Sequence, residues 1–161
     1  MKRALSAWSL LVLLLLPDLS AGAADLKPRK PRQADKCPVC GMFVAKYPDF
    51  AGQIVFRDGT VYFFDGAKDL FKYYLNLATY SPRRKQQDIA AIFVTSYYTL
   101  SPIDGRNAWY VSGSDVFGPM GRELIPFASE AEAREFKADH KGKAVLKFPE
   151  VTLGVLRDLE R

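Results

Sequence analysis

The sequence predicts an α+β protein built from two tandem ββαβ units. Three observations carry that prediction. Strand-forming runs rich in β-branched and aromatic residues come in pairs. Each pair ends on a phenylalanine followed by a helix start, Phe64-Asp65 in the first half and Phe127-Ala128-Ser129 in the second. Each helix is then followed by one further strand-like run. Helices that interrupt antiparallel strands in this way pack on the sheet faces.

The elements follow in order. Lys2-Arg3, the uncharged apolar run Ala4 to Leu16, Pro17 and the small residues Ala21-Gly22-Ala23 read as a secretory signal peptide over residues 1–23. The apolar run is short for a membrane span, although an uncleaved anchor is the alternative. No cysteine stands at a lipobox position behind it, so lipid anchoring is not expected. Residues 24–36 are polar and rich in Pro, Lys and Arg, and read as a flexible basic tether. The first unit is assigned to 37–100. In it, Gln53–Arg57 and Thr60–Phe64 flank Asp58-Gly59, a two-residue hairpin signal. Asp65 is placed to cap a helix reaching about Ala78, with Ala67, Leu70, Phe71, Tyr74 and Leu77 at helical spacing. Ser81-Pro82 ends it, and Ile89–Leu100 reads as a strand.

The second unit is assigned to 101–161. Ala108–Val111 reads as a short strand, Ser112 to Gly121 as a loop, and Glu123–Phe127 as a strand whose Pro126 favours a sheet edge. Ser129-Glu130-Ala131-Glu132 is a capping box that opens a helix to about His140. Ala144–Phe148 reads as a closing strand.

Composition bounds the function. The chain has 161 residues, 48% of them hydrophobic and 13% aromatic, with a net charge of +5. The basic runs Lys27–Arg32 and Arg83-Arg84-Lys85 read as solvated linker and loop. For an exported chain, nucleic acid is not an expected partner. No Gly-rich phosphate loop, Ser/His/Asp set or H-E-x-x-H pattern occurs, and there is one histidine. Conventional acid–base or nucleophilic catalysis therefore has little to work with, which favours a binding or delivery protein over an enzyme.

The chemistry concentrates in Cys37-Pro38-Val39-Cys40-Gly41-Met42, which holds both cysteines and one of three methionines. Soft thiolate and thioether donors select Cu(I). Glycine at 41 allows the tight turn that brings Cys40 and Met42 together. Three other readings compete. A thioredoxin-like redox pair would open a helix, and here Met42-Phe43-Val44 follows without helical periodicity. Structural zinc needs four ligands, and no clear further donors are present. As a bare staple, a bridge between Cys37 and Cys40 would close too short a loop to constrain the chain. Met42 alone also fits a core gap-filler. Met120, in Gly118-Pro119-Met120-Gly121, sits in a loop where a thioether has little packing reason to be. His140 also reads as a cation at a helix C-terminus.

These residues resemble the NosL family, accessory proteins of nitrous oxide reductase maturation. The likeness lies in Cys37–Met42, Phe63-Phe64-Asp65-Gly66, Tyr110–Ser114, Pro119-Met120-Gly121, Phe127–Glu130 with Ala133 and Phe136, and His140–Phe148. The resemblance implies a periplasmic Cu(I)-binding metallochaperone with a fold of paired ββαβ domains similar to the organomercurial lyase core. It implies as partner the apo form of a copper enzyme, nitrous oxide reductase, alongside other copper-trafficking proteins. Carried over, the ligand candidates are Cys40, Met42 and Met120, then Cys37, with His140 the weakest. Many family members are lipoproteins, and this chain departs from them in lacking the lipobox cysteine. The runner-up function is an extracytoplasmic thiol–disulfide protein using Cys37 and Cys40.

Overall fold

A computed structural model describes residues 26–161; the expected signal peptide, residues 1–23, lies outside the described residues. The first sheet contains β1 (Gly52–Phe56), β2 (Val61–Phe64), β3 (Ile89–Thr95) and β4 (Pro102–Asp104) in the order β2-β1-β3-β4, every pair antiparallel. Helices α1 (Ala67–Leu75) and α2 (Leu77–Tyr80) lie between β2 and β3 in sequence. The second sheet contains β5 (Trp109–Gly118), β6 (Gly121–Phe127) and β7 (Ala144–Lys147) in the order β6-β5-β7, again antiparallel. Helix α3 (Glu130–Asp139) precedes β7, and α4 (Leu153–Leu159) follows it. In both halves the first strand is central, flanked by its hairpin partner and by the strand after the helix. The α+β architecture with two ββαβ units is therefore present. Among the described residues no helix is long and apolar enough to cross a membrane.

Several local expectations are corrected. The β1–β2 register runs on to Phe56 opposite Thr60, whose carbonyl accepts the Phe56 N–H at 2.8 Å. The loop is thus three residues, Arg57-Asp58-Gly59, with Gly59 at φ +83°, the three-residue hairpin that places glycine in the left-handed region. Asp65 does not cap α1. The N-cap is Gly66, with no side-chain bond of its own. The helix predicted to reach Ala78 is divided at Asn76, whose Nδ2 donates to the Lys72 carbonyl at 2.9 Å. β3 stops at Thr95, and Leu100 turns the chain with φ +51°.

In the second unit, Ser112–Gly118 is strand rather than loop. The pairing of β5 with β6 is interrupted between Ser112 and Phe117 and resumes with Phe117 opposite Arg122 and Gly118 opposite Gly121. Ser112 and Ser114 are buried, because small side chains suit this crowded stretch. The Pro119-Met120 dipeptide is therefore the tip of a β-hairpin. Pro126 does lie on an edge strand, β6. The Ser129 capping box forms in full: Ser129 Oγ accepts the Glu132 N–H at 3.3 Å, and Glu132 Oε2 accepts the Ser129 N–H at 3.1 Å. Helix α4, capped by Thr152 Oγ1 on the Val155 N–H, was not expected.

The segment expected as a flexible tether is pinned over much of its length. The Arg29 N–H donates to Gln53 Oε1 at 2.9 Å, and Gln53 Nε2 donates back to the Arg29 carbonyl at 3.0 Å. Arg32 and Asp35 pair at 2.9 Å. β1, at the middle of the sheet, is buried along its whole length.

The packing places α1 at the centre of the molecule. On one side it meets Ile54, Phe56 and Phe64 of the first sheet; on the other it meets Tyr110 and Leu124 of the second, with Phe148, Leu156 and Leu159 completing the same core. Phe71 of α1 meets Tyr110 edge-on at 5.0 Å and Phe148 at 4.7 Å. A smaller core on the far face of the second sheet joins Val111, Ile125 and Phe127 to Ala133 and Phe136 of α3. The alternation of Tyr110 with Val111 and of Leu124 with Ile125 is the period-two rule of a strand covered on both faces.

Candidate metal centre

The Cys-x-x-Cys segment is a tight loop. The Cys37 N–H donates to the Met42 carbonyl and the Gly41 N–H to the Cys37 carbonyl, each at 2.9 Å. Gly41 takes φ +81°, a conformation that favours glycine. The loop turns both thiols toward the start of α1. Asp65 precedes that helix's N-cap, and Asp69 lies in its first turn. Asp65 lies outside the helix, behind the extended Gly66, yet the two carboxylates meet at the helix start.

Cys40 Sγ donates to Asp65 Oδ1 at 3.2 Å, and Cys37 Sγ donates to Asp69 Oδ2 at 3.4 Å. Two sulfurs and two carboxylate oxygens all lie within 4.8 Å of one another. Cys37 (2% exposed), Asp65 and Asp69 are buried, and Cys40 is half-buried. Both thiols are free. Burial, reinforced by the neighbouring carboxylates, pushes the Cys37 thiol far above the ordinary thiol range and the Cys40 thiol up to about 12. Burial also raises the Asp69 carboxyl, against the lowering effect of the thiol hydrogen bonds.

Cys40 opens onto a cavity of about 610 Å³. Asp69, Lys68 and Lys72 of α1, Met120 at the β5–β6 tip, and Arg122 line it with Cys40. Met120 is 47% exposed. The structure therefore brings Met120, from the second unit, to the cavity of Cys40, whose sulfur is clustered with that of Cys37. Met42 is half-buried on the same loop as the cysteines and does not line the cavity. His140 lies elsewhere. It ends α3, on the far face of the second sheet, with its ring stacked on Phe136 at 4.3 Å and Nδ1 3.1 Å from Asp115 Oδ1.

Asp65 and Asp69 were missed by the sequence reading. The available signal was a pair of acidic residues at a predicted helix start, of which Asp65 reads in the sequence as a cap. The capping role is filled from the other unit: Glu123 Oε1 accepts the Lys68 N–H, the second of α1, and also the Leu124 N–H at 2.8 Å. A Cβ on Gly66 would stand only 2.8 Å from the Glu123 carboxyl carbon, so the absence of a side chain at 66 admits this carboxylate. Buried and fully enclosed, Glu123 has its carboxyl pushed up to about 8.

Comparison with known proteins gives a consistent picture. The sequence model of the NosL family matches residues 28–156. The chain is 30% identical over 142 residues to a copper-binding lipoprotein NosL of Stutzerimonas stutzeri, covering 83% of this chain and 70% of that protein. The crystal structure of the copper chaperone NosL from Shewanella denitrificans shares the fold, with a TM-score of 0.68 at 24% identity over 80% of this chain and 98% of that one.

Proposed function

The chain belongs to the NosL family, and from that premise we propose that it is an exported Cu(I)-binding metallochaperone that supplies copper to nitrous oxide reductase in the periplasm. The observation that carries the reading is the convergence of Cys37, Cys40, Asp65 and Asp69 within 4.8 Å beside a cavity shared by Cys40 and Met120.

The chemistry follows from the donor set. Cu(I) takes thiolate and thioether sulfur in preference to carboxylate oxygen. Cys37 and Cys40 bind as thiolates, and Met120 is the methionine assigned as the third sulfur because it faces the cavity. Two Cu–S bonds form as two S–H bonds break. The two protons pass to solvent, and copper stays Cu(I), so no electron moves. The exposed side of the site, at Met120 and the half-buried Cys40, is where a donor atom of the acceptor protein enters to exchange ligands.

The thiol–disulfide alternative needs a thiolate that attacks at neutral pH. Burial beside two carboxylates holds both thiols in the protonated form, which argues against that role.

The test is competition for Cu(I) between the reduced mature protein and a chelator of known affinity. Cys40→Ser is expected to weaken binding strongly, and Met42→Ala to leave it close to the parent. Cys40→Ser holding Cu(I) as tightly as the parent would remove the assignment. Mixing the Cu(I)-loaded protein with apo nitrous oxide reductase then reads out the client, as copper gained by the reductase.

A further inference from the structure

We propose that Lys68 is a positioning residue for the cargo: through the backbone of the β5–β6 hairpin it sets where Met120 stands in the cavity it shares with Cys40. The proposal rests on the reading of Met120 as a ligand.

The argument begins with what does not hold Met120. Its side chain is half exposed at the tip of a two-residue turn, so burial does not fix it. The strand behind the tip is irregular, because the β5–β6 ladder is interrupted between Ser112 and Phe117 and only Phe117–Arg122 and Gly118–Gly121 pair near the end. A hairpin end of this kind would sample several positions if left alone.

Lys68 supplies what the ladder lacks. It sits in the first turn of α1 beside Asp69, and its side chain lines the cavity with Cys40 and reaches the other unit. It is 6% exposed. Its Nζ donates to the Met120 carbonyl at 2.9 Å and to the Arg122 carbonyl at 2.8 Å. Its backbone N–H donates to Glu123 Oε1. Three hydrogen bonds from one residue thus reach residues 120, 122 and 123. Charge assistance makes the ammonium bonds stronger than neutral ones, and burial makes an unpaired ammonium costly, so the hairpin is held closed onto the helix. The first turn that carries Asp69 also grips the Met120 hairpin. The Lys68 side chain thus ties the hairpin tip, beyond the packed part of β6, to the start of α1. Pre-organising the third sulfur removes the ordering cost from the binding step.

A double-mutant cycle tests this. Cu(I) affinity is measured for the parent, Met120→Ala, Lys68→Leu and the double variant, and the number of sulfur ligands on copper is read by X-ray absorption. Lys68→Leu, which adds no sulfur to the cavity, is expected to lower affinity roughly 10- to 100-fold, the usual range for residues that orient a ligand. Met120→Ala should then cost nothing further in the Lys68→Leu background, and copper in Lys68→Leu should lose one sulfur neighbour while keeping both thiolates. Lys68→Arg, which retains charge and donors, should recover part of the loss. If Met120→Ala weakens binding equally in both backgrounds, Lys68 does not position Met120 and the inference fails while the ligand assignment stands. If Met120→Ala changes nothing in the parent, the ligand assignment fails and takes the inference with it. Thermal unfolding monitors each variant, and should Lys68→Leu not fold, the same cycle with Lys68→Gln decides.

Discussion

Cys37 and Cys40 each hold a proton against an aspartate, and that arrangement determines how the site responds to acid. With Cys40 pushed up to about 12 and Cys37 raised further still, both thiols are protonated across the physiological range. A metal that binds as a dithiolate must displace both protons. Raising the pH removes the competing protons, so apparent Cu(I) affinity increases with pH. Each displaced proton contributes about tenfold per pH unit, which gives a slope near two for the parent. Cys37→Ser is expected to bring the slope to about one. Chelator competition at several pH values, corrected for the chelator's own protonation, measures it. The cysteines themselves were legible in the sequence, because two thiols and a glycine within six residues are a local pattern. Their carboxylate partners were not. Asp65 and Asp69 stand 25 or more residues away, and nothing in a linear reading says that a C-x-x-C loop will fold onto that helix start.

At the scale of the element, the two long helices are capped by different devices. Ser129 and Glu132 form a reciprocal box within four residues, and a box of that kind is visible in the sequence because both partners are local. Helix α1 is capped across the molecule, by Glu123 on the Lys68 N–H, while Asp65 answers to Cys40 instead. Burial raises the Glu123 carboxyl from its ordinary value near 4.5 to about 8. Between those two values the folded protein binds more protons at this group than the unfolded chain does. Its contribution to stability is therefore complete below about 4.5 and lost as the pH rises through about 8. Glu123→Gln keeps the acceptor oxygen and removes the titration. The parent is expected to lose stability relative to this variant as pH rises from 5 to 8, as measured by denaturant midpoints at each pH. A constant difference across that interval would show that the carboxyl does not titrate there.

For the whole molecule, the consequence of a central α1 is that the two ββαβ units share one main core. Phe71 is fully buried and touches the second unit through Tyr110 and Phe148. Phe71→Ala is expected to cost about 3–5 kcal/mol, the range for deleting a buried phenylalanine, and to lower the unfolding of both halves together. Chemical denaturation followed by near-ultraviolet and far-ultraviolet signals checks this, and two separated transitions in the parent would contradict a shared core. The order β2-β1-β3 in one sheet and β6-β5-β7 in the other matches the two tandem ββαβ units expected from the sequence. What that expectation did not contain was the α1 interface with β6 or the helix α4 that closes the core beside it.

By itself the sequence determined the features that neighbouring residues can encode: the paired strands, the Ser129 box, the Gly59 and Gly41 turns, and a soft-donor loop. These depend on contacts a few residues apart, so periodicity and turn chemistry are enough to reveal them. Only the tertiary structure decided which of the candidate ligands meet. It carried Met120 on a hairpin tip to the cavity of Cys40, placed His140 on the far face of the second sheet, and added Asp65 and Asp69 to the cluster. The physical reason is that such meetings depend on strand register and on the burial of α1 between two sheets. Both are settled by packing of the whole chain, and a one-residue change of register would have turned a different set of side chains toward the site.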